Sequence, residues 1–179
     1  MHIIKPSAAG RLMLITACVT ALGTGGCMSE KSEINKPLPR MSEKGAEDWA
    51  RHFTQSMARS AQIEIDGKTV KPNYTKCVGK NDEVPEDGRF VLQYDARAPL
   101  DGDQHEQAIK RIQAALKERG YKTDGYQVTK GSNATVTLNA RDPKKGFTLA
   151  IDGFRKRNEI VLTVITPCLL PPGKEQQQY

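Results

Sequence analysis

Apolar residues recur along this chain in three rhythms, and each change of rhythm marks a part of it. Leu12 to Leu22 (LMLITACVTAL) is a nearly unbroken apolar stretch of about eleven residues behind Lys5 and Arg11, which is the length of a signal-peptide hydrophobic region and too short for a membrane-spanning helix. Residues 28–41 (MSEKSEINKPLPRM) combine charge and two prolines with no period, and are expected to form a flexible spacer. From Ser42, steps of three and four place Ala46, Trp49, Ala50, Phe53 and Met57 on one face of a helix reaching about Ala61. Ser42 is its expected N-cap, with Glu43, Glu47 and Asp48 near the positive end of its dipole. Packing against a sheet accounts for that face; a ligand groove around Trp49 and Phe53 is the alternative use.

The period then falls to two. Ile63 and Ile65 alternate with polar neighbours, and Asp66-Gly67 offers a turn, so a small hairpin or bent strand is expected up to Tyr74. Gly79 to Gly88 is a polar loop, read as a solvated turn because its acids Asp82, Glu83, Glu86 and Asp87 lack the spacing of a calcium loop. Arg89 to Ala98 alternates cleanly and predicts a long half-buried strand. Pro99 stops it, Asp101 or Asp103 is the expected cap of a second helix, and Ala108, Ile109, Ile112, Ala115 and Leu116 form its apolar stripe up to Gly120. Four successive strands follow at residues 121–129, 134–140, 146–152 and 159–166, separated by turn-forming residues. Residues 169–179 are expected to be a Pro- and Gln-rich tail of low order. Helix, strands, helix and four-strand meander together predict an α+β fold: one antiparallel sheet with two helices packed on one face.

The apolar stretch ends in Gly25-Gly26-Cys27, which resembles the lipobox of bacterial lipoproteins, where the chain is cut before the cysteine and the thiol carries a diacylglycerol. Thr24 departs from that pattern, in which leucine is usual at its position. Leu14 to Cys18 fits the consensus better letter for letter, but cleavage there leaves only Leu12 to Ala17 as the hydrophobic region, shorter than such regions run. Residues 1–26 are therefore read as a lipoprotein signal peptide, 27–41 as lipidated N-terminus and tether, and 42–168 as a single domain. The alternatives are a plain secretory signal cut after Gly26, with Cys27 an ordinary thiol, and an uncleaved anchor.

Cleavage before Cys27 would leave 153 of the 179 residues, and the 27 basic residues less Lys5 and Arg11 would leave 25 against 21 acids, a net charge of +4. That excess is spread along the chain without the dense, aromatic-interleaved stripe of a nucleic-acid binder. Attraction to an anionic membrane or wall polymer is compatible with it, as is ordinary solubility. Of four cysteines, Cys18 leaves with the signal and Cys27 takes lipid, so Cys77 and Cys168 remain as a pair, expected to be bridged outside the cytoplasm. His52 and His105 do not sit at ligand spacing from them, so no metal site and no cofactor is expected.

No nucleophile motif and no phosphate-cradling glycine loop occurs. Asp101 to Glu106 (DGDQHE) is the densest set of ionisable groups, and its acids suit the start of a helix as well as they would suit a base or a metal. No catalytic residue is assigned. Paired Cys77 and Cys168, Asp87-Gly88-Arg89-Phe90, Gly120-Tyr121, Asp142-Pro143, Gly146 to Leu149, Thr166-Pro167-Cys168 and Pro171-Pro172-Gly173 together resemble small secreted lipoproteins of Streptomyces and related actinobacteria, across about Ser42 to Gly173. That resemblance implies an envelope lipoprotein and a Cys77–Cys168 disulfide, and brings no catalytic residues. The expected function is non-enzymatic binding of a protein or small envelope ligand by a domain held to the membrane through lipid on Cys27. The alternatives are a wall-acting hydrolase or transferase with dispersed carboxylates, a freely secreted binding protein, and a structural spacer.

Overall fold

Phe90, Leu92, Tyr94, Ala96 and Ala98 are buried at every second position while the residues between them are not, and this alternation organises the domain. The computed structural model describes residues 35–79, 81–131 and 133–179. The expected signal sequence, Cys18 and Cys27 lie outside the described residues. Two helices, α1 (Glu43–Ala61) and α2 (His105–Glu118), and six strands are formed: β1 (Asp66–Lys76), β2 (Phe90–Pro99), β3 (Lys122–Val128), β4 (Thr135–Arg141), β5 (Thr148–Phe154) and β6 (Glu159–Ile165). The strands make one antiparallel sheet in the order β1-β2-β6-β5-β4-β3, so β3 to β6 form the expected meander and β2 joins it beside β6. α1 lies over β2 and β6, and α2 over β3, β4 and β5, which covers one face of the sheet. The fold is α+β, as the alternation implied.

Local chemistry explains most boundaries. The Ser42 side chain accepts a hydrogen bond from the Gly45 N–H at 3.1 Å and caps α1. Ala46 and Ala50 are fully buried and let α1 approach the sheet closely, while Trp49 stacks on Phe147 at 4.0 Å and Phe53 meets Tyr121 at 5.5 Å, so the aromatic face is packing. At α2 the expected cap is corrected: Gln104 occupies the N-cap position and no side chain caps it, whereas Asp101 closes the preceding turn through its carbonyl, which accepts from the Gln104 N–H. Arg119 ends α2, and Gly120 follows at φ +81°, a conformation that favours glycine. No separate hairpin forms around Asp66-Gly67. β1 is instead a single bent strand with a register shift between Asp66 and Lys71, and Lys71 and Pro72 blunt its open edge. The other edge, β3, is broken likewise between Asp124 and Gln127.

The Cys77–Cys168 disulfide is formed, with a Cα–Cα distance of 5.9 Å. It joins the end of edge strand β1 to the residues after β6, across the end of β2 that lies between them. The low-order tail is corrected as well. Leu169 and Leu170 are fully buried; Leu169 bridges to Phe90, and Leu170 to Arg40. Two leucines without a periodic neighbourhood carry no pattern, but they fill the end of the core that the helices leave open. The spacer is shortened for the same reason, since the Met41 N–H donates to the Leu170 carbonyl at 3.1 Å and the Leu170 N–H to the Pro39 carbonyl at 3.0 Å.

With the bridged cysteines 91 positions apart, loop-closure entropy puts the bridge at roughly 4–5 kcal/mol as an upper figure. Joint replacement Cys77→Ser and Cys168→Ser is expected to lower unfolding free energy by about 2–4 kcal/mol. Urea titration against the oxidised chain checks this; an unchanged midpoint would show that the bridge contributes nothing.

Candidate functional site

Residues 35–41, the 79–89 loop and the tail from 169 meet at one pole of the sheet, where β2 begins and β6 ends. Asp87 and Arg89 form an ion pair there with both side chains 2% exposed. The Arg89 Nε–H donates to both Asp87 carboxylate oxygens at 2.9 Å, and its Nη2 bonds the same group. Hydrogen bonding from Arg89 is the main cause that holds the Asp87 pKa down at about 2, below the usual carboxylate range, against the opposing effect of burial. The tail completes the pair: the Gln177 N–H donates to Asp87 Oδ2 at 3.0 Å, the Gln177 carbonyl accepts from Arg89 Nη2 at 2.6 Å, and the Tyr179 ring lies 4.9 Å from the guanidinium. Gln176 ties in the N-terminal segment, accepting from the Leu38 N–H at 2.9 Å and donating to the Lys36 carbonyl at 3.0 Å.

A cleft of about 500 Å³ opens beside this clasp, between Glu43, Tyr74, Lys76, Glu86 and Phe90. The Tyr74 hydroxyl donates to Glu47 Oε2 at 3.2 Å, and burial, reinforced by Glu47, pushes its pKa up to about 12. It therefore stays protonated and offers hydrogen bonding to a small polar group rather than a nucleophile. At the opposite pole, two hollows of about 370 and 520 Å³ share Ala134, Arg155 and Lys156. Two of their cations are answered from within: Arg155 lies 3.8 Å from Glu106, and Arg157 lies 2.8 Å from Glu159, which also pairs with Arg97 at 3.2 Å.

The charged run at 101–106 does not converge. His105 is fully buried, its Nε2 is 2.9 Å from the Leu100 carbonyl, and its Nδ1 has no partner. The ring packs on the backbone of Gly153, where an added Cβ would sit 2.8 Å from Nδ1, so His105 and a strand glycine form one close contact. The acids of the 79–89 loop also separate: Glu83 accepts from Asn81, and Asp87 turns inward to Arg89. Asp152 is the one described carboxylate held above its usual range; burial on the helix-free sheet face is the cause, and it lines neither the cleft nor the hollows. Among the described residues no three His, Cys, Asp or Glu side chains converge on one point, and no helix is long and apolar enough to cross a membrane. Sequence reasoning missed the Asp87–Arg89 clasp. D-G-R inside an acid-rich loop looks like any solvated turn, and only the isolated Arg89 ahead of a buried strand hinted at a partner.

Comparison with known proteins finds no matching family, no matching curated protein and no matching solved structure.

Two outcomes follow from these contacts. The folded-state pKa of Asp87 is depressed, so the clasp stabilises fully above the unfolded value near 4 and is lost as pH falls toward 2. Unfolding free energy is expected to drop by up to about 2 kcal/mol over that window, and Asp87→Asn should remove this part of the acid dependence in urea titrations at pH 5 and pH 2.5. At the other pole, Gly153→Ala drives a methyl group into His105 and is expected to cost about 1–3 kcal/mol, read as a lowered Tm. Restoration by the double variant with His105→Ala would localise the clash.

Proposed function

We propose that this chain is a cell-envelope lipoprotein held on the extracytoplasmic face of the membrane by lipid on Cys27, and that its domain is a non-enzymatic module that binds a protein or small envelope ligand. The observation that carries the reading is the short apolar segment that runs, behind two basic residues, into Gly25-Gly26-Cys27. The closed Cys77–Cys168 bridge supports it, because such bridges persist in oxidising compartments. So does the clasp at residues 35–41, which gives an anchor a fixed point of attachment on the domain.

A binding role is supported by the shape of the domain. The helix-free face of the sheet presents Val91, Val161 and Ile165 among threonines and charged residues, a mixture that tolerates water yet offers apolar contact to a partner.

The intact mass of the protein extracted from membranes of its own host, under non-reducing conditions, tests the anchor. The expected mass begins at Cys27, carries diacylglycerol and is two protons lighter than the reduced chain. Cys27→Ala is expected to shift the protein out of the membrane fraction. A mass starting elsewhere without lipid would overturn the anchor and make this a freely secreted protein.

A further inference from the structure

Lys122 and Arg141 stand directly opposite each other in the register of β3 and β4. Like charges at such a position repel and weaken the pairing, so the arrangement calls for a compensating use. The β4–β5 turn adds Lys144 and Lys145, both exposed. The one acid of the turn, Asp142, does not answer them: its Oδ1 accepts from the backbone N–H groups of Lys144 and Lys145 at 2.8 and 3.0 Å and is spent on holding the turn. All four cations are exposed, and among the described residues none of their side chains has an acid partner. At the opposite pole, by contrast, Arg155 and Arg157 are paired with Glu106 and Glu159.

This corner shares a pole with the N-terminal segment. Gly146 lies against Pro167, within 3.7 Å of where its Cβ would stand; Cys168 and Leu169 follow, and Leu170 binds Pro39 and Met41. From β2 to β4 is three strand spacings, about 15 Å. Because the clasp reaches back to Asn35, whose side chain accepts from the Tyr179 N–H at 3.0 Å, only eight residue steps separate Cys27 from the held part of the chain, a span of at most about 29 Å. A lipid anchor on a leash of that length lets this pole reach the membrane, where cations that settle within roughly 8 Å feel its surface charge.

We propose that Lys122, Arg141, Lys144 and Lys145 form a docking surface for anionic phospholipid headgroups, which seats the domain on the membrane beside its own anchor. The proposal rests on the lipid at Cys27. It also sets a tilt: Asp82, Glu83 and Glu86 occupy the same pole beyond β1 and β2, so repulsion lifts that side while the β3–β5 corner settles.

The test uses the membrane-extracted protein carrying Pro143→Cys, labelled with a fluorophore at the tip of the turn, in phosphatidylcholine vesicles with or without roughly a third phosphatidylglycerol. Aqueous iodide should quench the label several-fold less in the anionic vesicles, and high salt should erase the difference. Each cation near an anionic surface is worth about fivefold in docked population. Lys144→Gln with Lys145→Gln should therefore lower docking about 25-fold, and adding Lys122→Gln and Arg141→Gln should abolish it. Equal quenching in both vesicles, or protection that survives the four-fold variant, would overturn the docking surface; binding to isolated wall polymer with no response to phosphatidylglycerol would overturn it equally. The intact mass of the same sample reports the anchor separately. If diacylglycerol is missing, the anchor fails, and protection of the label on adding the chain to preformed anionic vesicles still decides the docking surface.

Discussion

Dry packing of one face of the sheet against two helices is the constraint on which the domain depends. Leu92, Tyr94, Ala96, Leu162 and Val164 point into that layer, and Asp95, Arg97, Glu159 and Thr163 point out of it. A slip of one residue in either strand would exchange the two sets and bury charge at a cost of several kcal/mol for each group. Register is therefore set by what must stay wet as much as by what must stay dry. The small residues Ala46, Ala50, Ala96 and Ala98 set how closely α1 approaches, and Gly153 does the same for the His105 end of α2.

The helices leave one end of this core uncovered, and the chain closes it with its own extremities. Leu169 and Leu170 supply apolar bulk, residues 35–41 and the tail satisfy one another's backbone groups, and the Asp87–Arg89 pair is buried only because Gln177 completes its hydrogen bonds. A buried ion pair with unfilled hydrogen-bonding capacity would be a liability. The disulfide acts on the same pole from the other side, holding edge strand β1 to the chain beyond β6.

Legibility in the sequence followed periodicity. α2 and β4 to β6 repeat an apolar residue every three or four, or every two, positions, and their existence and type could be read directly. β1 was harder because an edge strand, exposed along nearly its whole length, has no dry face to announce it. The cysteine pair was legible by elimination. The closing pole was not: two adjacent leucines before Pro171-Pro172 have no period, and Asp87 differs from its acidic neighbours only through an arginine two residues on. The like-charged pair of β3 and β4 was equally hidden, since Lys122 and Arg141 stand nineteen positions apart and become neighbours only once register is known.

One consequence of the clasp is practical. The C-terminal Tyr179 hydrogen-bonds to Asn35 and lies over Arg89, so the two ends of the described chain meet at the same place. A purification tag or fluorescent protein fused after Tyr179 would crowd this clasp. The turn around Lys130 and Gly131, at the far end of the meander, leaves room for such a handle.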